Sequence, residues 1–569
     1  KQMVQSLHNA GIGVVMDVVY NHTYNTDYCF NKIVPGYFYR GTNGSGCGND
    51  VASERAMVSK FIVDSVLYWH DEYHIDGFRF DLVGLIDVDT INEITTKLHE
   101  IDPSIILYGE GWVNSTTQPT KEGVKLANQS NSELTPGFAY FNDAIRDTLK
   151  GNVFTSTDKG YVNGAVGKSG DIFFCAQGAA TWTNLESRPL QMINYSSCHD
   201  NYTLWDKIAC SNPDDSFDLR VKQNNLAAAI TFTSQGIPFI LAGEEILRTK
   251  VKEDGSLDHN SYASPSSENS IKWDTLSIEK YQKVHDYYQG LIAFRNAHSA
   301  LRMSDGDMVA KCISQIDTSY LNEYVKVDGA NTLKVGGVLE YSITGYEGDD
   351  DIVVIYNPNN KDLNVNIPDG AWNVYVQGDK AGTDVLSTVA GSVKVNAVSA
   401  TILVKGSQKN IASKAVISGV SNKTYTGKSI KMTSLKVKYG SKTLKNGKDY
   451  TVSYSNNKNA GKAKITVKFK GLYKGTVTKT FTIKKASQSI SVKTSLTKKK
   501  KDKAFSLGAK LSKGNGKLTY KSSNTKIAKV SSKGKVKLTG KAGTVKITVT
   551  AASSNNYNKA AKTVTIKVK

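Results

Sequence analysis

Residues 1–295 alternate between two hydrophobic patterns. The runs GIGVVMDVVY, IDGFRFDLV, SIILYGEGW, LQMINYSS and GIPFILAGEE are short and nearly continuous in apolar residues, as strands are when both faces of a parallel sheet are covered. Between them the spacing changes. In DTINEITTKLHEI, Ile91, Ile94, Leu98 and Ile101 recur at intervals of three and four, which gathers them on one face of a helix. Strand and helix in alternation predict an α/β fold, either a doubly wound sheet or a (β/α)8 barrel. No glycine-rich phosphate loop follows the first strand, and this favours the barrel.

The pattern changes after that. Within residues 296–406, the stretch DDIVVIYNPNNKDLNVNIPDGAWNVYVQGDKAGTDVL alternates apolar and polar positions between the turn signals NPNN and PDG, which predicts an antiparallel β-sandwich. Residues 411–485 and 486–569 are rich in Val, Thr and Tyr runs separated by Asn-Gly and Asn-Lys-Asn turns, so two further small all-β modules are expected. A chain of 569 residues exceeds what one core supports, in keeping with several domains. No run of eighteen apolar residues occurs, and no membrane span is expected. The chain opens on Lys1 inside a helix-like pattern, KQMVQSLHNA, and reads as a piece of a longer protein.

Charge separates the two halves. From Ile411 onward there are 39 lysines, no arginine, no glutamate and two aspartates, a net of +37. The whole chain carries +20, which leaves −17 for residues 1–410. A basic surface can bind nucleic acid, but the tail has neither arginine nor a platform of stacking aromatics, so no nucleic-acid partner is expected. The six cysteines form no zinc-binding spacing; Cys29 and Cys47 flank the loop after the first strand.

The polar chemistry gathers at the C-terminal ends of the expected strands, where barrel enzymes build their sites. Asp17, Asn21 and His22 follow the first, Arg79 and Asp81 the second, Glu110 the third, and His199 and Asp200 close LQMINYSS. Arg79 and Asp81 stand two apart, so in a strand both point to the side opposite Phe78 and Phe80. A cation beside a carboxylate keeps it ionised at low dielectric, as a nucleophile requires. One carboxylate at a strand end is usually a helix cap. A series of them at successive strand ends predicts one site.

The motifs DVVYNH, GFRFDLVG, YGEGW and SSCHDN resemble, in order and spacing, the four motifs of the α-amylase superfamily of glycoside hydrolases. CFNKIVPGYFYRGTNGSGCGNDVASERAMV, FNDAIRDTLKG, SQGIPFILAGEEILRTK and DHNSYASPSSENSIKW narrow the resemblance, over roughly residues 1–405, to the type I pullulanases. It implies a (β/α)8 TIM barrel over 1–295 whose first strands, with the motif YNWGY, precede Lys1, so that this piece alone is expected to be inactive. The implied activity is retaining hydrolysis of α-1,6-glucosidic branches in pullulan, amylopectin and limit dextrin, with an isoamylase-like or α-1,4-acting enzyme, or a non-catalytic glucan-binding surface protein, as alternatives. Asp81 corresponds to the nucleophile, Glu110 to the general acid and base, and Asp200 to the carboxylate that stabilises the transition state. His22, Arg79, His199, Tyr20, Trp112 and Asp17 are implied around the substrate, with Tyr20 and Trp112 as stacking faces or core aromatics. No cofactor is required; relatives often hold a structural calcium on loop oxygens near the residue matching Asn21, though no acidic ligand loop marks one here. The sandwich is implied as a buttress. LTYKSSNTKIAKVSSKGKVKLTGKAGTVKITVTA resembles bacterial immunoglobulin-like surface modules, which points to an extracellular or cell-surface protein of a Gram-positive-type bacterium, with an anionic cell-wall polymer as a partner of the lysine-rich tail.

Overall fold

The structure is a computed structural model that describes residues 1–28, 30–181, 187–327 and 330–569; Cys29 lies outside the described residues. Six parallel strands pair in chain order: β1 (Val15–Val18), β2 (Gly77–Phe80), β3 (Ile106–Gly109), β4 (Ala139–Phe141), β5 (Met192–Asn194) and β6 (Ile237–Pro238). This is the strand sequence of a (β/α)8 barrel. Among the described residues β1 and β6 each have a strand on one side only. Val15 on β1 is correspondingly 37% exposed, whereas every residue of β2 is buried.

Alternation along β2 sets up two layers. Phe78 and Phe80, both fully buried, face outward with Leu107 against helices Ala56–Tyr73 and Val88–Ile101. Truncating either ring to Ala would cost about 3–5 kcal/mol. Helix Val88–Ile101 begins at Asp87, whose carboxylate accepts the Thr90 N–H, and buries Ile91, Ile94 and Leu98. Ile101 is 54% exposed, a correction to the expected stripe: it lies past the packed surface at the last turn. The inner side holds Tyr108, Phe141, Ile193 and Tyr195 in a separate cluster. The strand β4 was not anticipated. It is only three residues long, inside PGFAYFND, too short to show a period.

The sandwich is built on a six-stranded antiparallel sheet that includes Leu339–Ile343, Ile352–Asn357 and Ser399–Gly406, with the pair Leu363–Asn366 and Ser392–Val395 beside it. Val353, Ile355, Trp372, Val374 and Leu403 form its interior. Its other face carries Tyr341 and Tyr356 onto the barrel helix Phe217–Thr233, where Tyr356 Oη and Thr233 Oγ1 hydrogen-bond; Tyr161 of the barrel donates to Gly337 O at 2.7 Å. Buried tyrosines joined this way fix the sandwich face against the barrel helix.

Residues 407–569, grouped with 369–371, form a separate unit, and 407–569 hold two cores. One holds Ile465, Val467, Phe469, Phe481 and Ile483; the other holds Val545, Ile547, Val549, Val564 and Ile566. In strand Gly543–Ala551, Val545, Ile547 and Val549 are buried while Thr544 and Lys546 are exposed. The lysine charge therefore sits on the outer faces of the sheets. No described helix is long and apolar enough to cross a membrane.

Candidate active site

Parallel register brings the strand ends together. Asp17 pairs with Arg79, and Arg79 with Tyr108, so the residues after these positions emerge side by side. Arg79 is at the centre and only 5% exposed. Its Nη1 donates to Asp17 Oδ1 at 2.7 Å and to Asp81 Oδ1 at 3.2 Å. Its Nη2 lies 2.7 Å from Glu110 Oε1, close in distance but off the N–H axis, so that contact is ionic and not an aligned hydrogen bond. One guanidinium thus ties three carboxylates from three successive strand ends. Burial works against its charge, but Glu110, Asp17 and Asp81 more than offset that and raise its pKa, so Arg79 stays a fixed cation.

Asp81 is held from the other side as well. Asn21 Nδ2 donates to Asp81 O at 2.7 Å and to Asp81 Oδ2 at 2.9 Å, while Asn21 Oδ1 lies 2.6 Å from His22 Nδ1. The fully buried Asn21 therefore orients the carboxylate and the imidazole at once. Among the described residues no three Asp, Glu, His or Cys side chains are grouped as metal ligands near it.

Glu110 differs from Asp81 in its surroundings. Its residue is 5% exposed, and its Oε2 accepts the Leu82 N–H at 3.2 Å. Burial pushes its carboxyl up to about 7; Arg79 pulls it down, and the charges of Asp81 and Asp200 push it further up. A carboxyl that holds its proton near neutrality is what a general acid requires. Asp200 completes the set. It lies half-exposed at the mouth with His199, whose Nε2 is 3.6 Å from Asp200 Oδ1.

The His199–Asp200 loop is supported from beneath by residues that the sequence did not reveal. Lys250 Nζ donates to His199 O at 2.6 Å and Asn201 O at 3.2 Å. The buried Glu244 accepts from Ser196 at 2.7 Å, Ser197 at 2.5 Å and Tyr288 at 3.0 Å. Burial pushes the nearby Lys150 down to about 8. These residues come from segments fifty residues apart, and only the folded chain brings them under one loop.

The two aromatics divide. Trp112 joins the inner cluster with Tyr108 and Phe141, with the Arg146 guanidinium 5.7 Å from its ring. Tyr20 packs with the outer core near Phe80, and its hydroxyl is 2.7 Å from Ser65 Oγ on helix Ala56–Tyr73. Of the two expectations for Tyr20, a stacking face or a core aromatic, its surroundings match the core aromatic.

Glycines keep the third strand end tight. A Cβ on Gly111 would come within 2.4 Å of the Tyr140 ring, which is itself fully buried. Gly111→Ala should therefore cost about 1–3 kcal/mol, since neither neighbour has room to move. Thermal melting of the variant together with kcat/KM tests this; an unchanged melt and rate would show that the ring can give way.

Comparison with known proteins agrees with this geometry. Residues 36–282 match the family model of the α-amylase catalytic domain, 334–380 that of the pullulanase all-beta domain, and 508–553 that of the intimin immunoglobulin-like domain. The pullulanase of Bacillus subtilis is 41% identical over 313 residues, covering 53% of this chain and 42% of that protein. Among solved structures, pullulanase from Bacillus acidopullulyticus superposes with a TM-score of 0.63 at 39% identity, over 71% of this chain and 48% of that one. Pullulanase from Paenibacillus barengoltzii in complex with maltohexaose and α-cyclodextrin gives 0.62 at 36% identity, over 71% of this chain and 60% of that one. The chain thus spans about half the length of the relatives it matches, and within that span it carries an α-amylase-superfamily catalytic domain with the all-β domain of pullulanases behind it.

Proposed function

We propose that the protein hydrolyses α-1,6-glucosidic branch linkages in pullulan, amylopectin and limit dextrin, with retention at the anomeric carbon. The observation that carries this is Arg79 joined to Asp17, Asp81 and Glu110, with Glu110 pushed up to about 7 by burial. Protonated Glu110 donates to the leaving glycosidic oxygen as Asp81 attacks the anomeric carbon. The resulting glycosyl ester is then cleaved by a water that Glu110, now ionised, deprotonates. Asp200, on the exposed side of the mouth, faces the positive charge that develops on the sugar ring. The binding of maltohexaose by the Paenibacillus pullulanase supports a linear α-glucan segment as the ligand. Incubating the full-length protein with pullulan should release maltotriose; panose or isopanose would instead indicate cleavage of α-1,4 bonds, and no product would leave a binding protein.

The pH dependence follows from Glu110. Its ordinary value is 4.5 and its value in the fold is about 7, so the proton that catalysis needs is present below about 7 and is lost as pH rises through it. In the full-length enzyme kcat/KM for pullulan should fall on the alkaline side with a midpoint near that value. A profile flat to pH 9 would remove Glu110 from the acid role.

The tail we read as an electrostatic tether at the cell surface of a Gram-positive-type bacterium. Its net +37 is carried by lysines, which attract polyanions as point charges without the paired geometry of arginine. A wall polyanion is the matching partner. Because surface charges are screened beyond about 8 Å at physiological ionic strength, binding must be multivalent. Residues 407–569 should sediment with purified cell walls and be released by salt. Retention on starch independent of salt would make the modules carbohydrate-binding domains.

A further inference from the structure

Arg79 gathers Asp17, Asp81 and Glu110, but the fourth carboxylate of the mouth, Asp200, is held in a different way. It stands in the segment His199–Tyr202 that follows β5, outside every strand and helix. Side chains fix the backbone there instead. Lys250 Nζ bridges His199 O at 2.6 Å and Asn201 O at 3.2 Å, Cys198 Sγ lies 3.9 Å from Asp200 O, and Lys150 Nζ lies 3.4 Å from Tyr202 O. Four successive carbonyls thus accept from side chains. Asn201 has φ 60°, a left-handed turn of the kind asparagine tolerates, and the Lys250 ammonium grips the backbone on both sides of Asp200.

Lys250 is itself anchored. It is 1% exposed, its backbone N–H donates to Asp206 Oδ2 at 2.8 Å, and the neighbouring Thr249 hydroxyl donates to Asp206 Oδ1 at 2.5 Å. Asp206 is fully buried in helix Leu204–Ser211, whose cap Thr203 directly follows the segment. The ammonium and the turn that it closes are therefore tied to the same short stretch of chain.

A neutral donor could bond carbonyls too, and a buried ammonium costs far more to desolvate. Burial, and then Arg248, lower the Lys250 ammonium, while Cys198, Asp200 and Asp206 raise it. A retained charge does what a neutral donor cannot. Asp200 is near enough to Glu110 for its charge to push that carboxyl up, so the acidic groups of the mouth repel one another. A fixed cation beneath the turn offsets that repulsion at Asp200.

We propose that Lys250 is a positioning residue for the cleavage reaction: it closes the turn His199–Asn201, so setting the place of Asp200, and supplies a positive field under that carboxylate without touching the glucan. Lys150 supports the same segment one residue further on. The assignment rests on the reading of the barrel as a glucan hydrolase in which Asp200 faces the charge on the sugar ring.

A double-mutant cycle in the full-length protein, with pullulan as substrate, separates this role from a merely structural one. Lys250→Met keeps the length of the side chain and removes the ammonium. Its kcat should fall about 10^2-fold, the order expected when a reacting group is displaced by about 1 Å. KM should stay within about twofold, since a buried lysine does not meet the substrate. Asp200→Asn also lowers kcat, and adding Lys250→Met to it should change kcat by no more than about twofold, because residues that act as a unit are not additive. Thr249→Val loosens the anchor on Asp206 and leaves the ammonium in place; it should give a smaller loss of kcat that again disappears in the Asp200→Asn background. An additive loss, a loss confined to KM, or an unchanged kcat in folded Lys250→Met overturns the proposal and leaves the hydrolase reading intact. If Lys250→Met does not fold, an additive loss or an unchanged kcat with Thr249→Val overturns it. An unaltered protein that releases nothing from pullulan overturns the hydrolase reading, and this assignment with it.

Discussion

Asp81→Asn in the full-length protein is expected to lower kcat on pullulan by about 10^4-fold or more while the fold persists, because the amide cannot form the glycosyl ester. The substitution keeps size and shape. Asn21 Nδ2, 2.9 Å from Asp81 Oδ2, finds an amide oxygen there if the new side chain turns it that way. An unchanged melt with lost turnover would therefore locate the loss in chemistry. Glu110→Gln should also reduce turnover by orders of magnitude, but through a different step, and it should abolish the alkaline limb near pH 7 that Asp81→Asn leaves in any residual activity. With the unaltered enzyme the newly exposed reducing end should first appear as the α-anomer. The β-anomer appearing first by NMR would refute a covalent intermediate on Asp81.

Arg79→Lys should be nearly as damaging, at roughly 10^2- to 10^3-fold in kcat, although it conserves charge. Arg79 contacts Asp17 and Asp81 through Nη1 and approaches Glu110 through Nη2, a span that a single ammonium cannot cover. The sign of the accompanying pH effect can be stated. Arg79 pulls the Glu110 carboxyl down against the effect of burial, so weakening that pull should move the alkaline limb of kcat/KM above its original position of about 7. Glycan affinity of the Asp81→Asn background should change less than kcat, since Arg79 faces carboxylates and is itself buried. A limb that moves down, or a loss confined to KM, would mean that Arg79 acts on the substrate and not on the two carboxylates.

Much of the site was legible because it is written in local spacing. The interval of two between Arg79 and Asp81 puts both on the side away from Phe78 and Phe80, and the structure has the first pair over the inner cluster and the second in the outer core. The separation from Asp81 to Glu110 is one strand-helix-strand unit, and β2 and β3 are neighbours. Tyr20 was ambiguous for the same reason that its neighbours were not: a lone aromatic carries no period, and its direction depends on which of Asn21 or Phe80 it follows in space. Lys250, Glu244 and Tyr288 were invisible, since each is an ordinary polar residue on an element of its own until the chain folds them under Ser196–Asp200.

The sequence by itself determined which polar residues close successive strands, the alternation of strand and helix, and the division of charge between residues 1–410 and the lysine-rich tail. Each of these follows from period, spacing or composition, which the chain carries without folding. Tertiary structure alone decided that Glu110 is pushed up to about 7 and that Asn21 serves His22 and Asp81 together. The physical reason is that desolvation and the Coulomb field at a carboxyl depend on neighbours from several strands at once, and no local pattern encodes the distance between residues that only packing brings together.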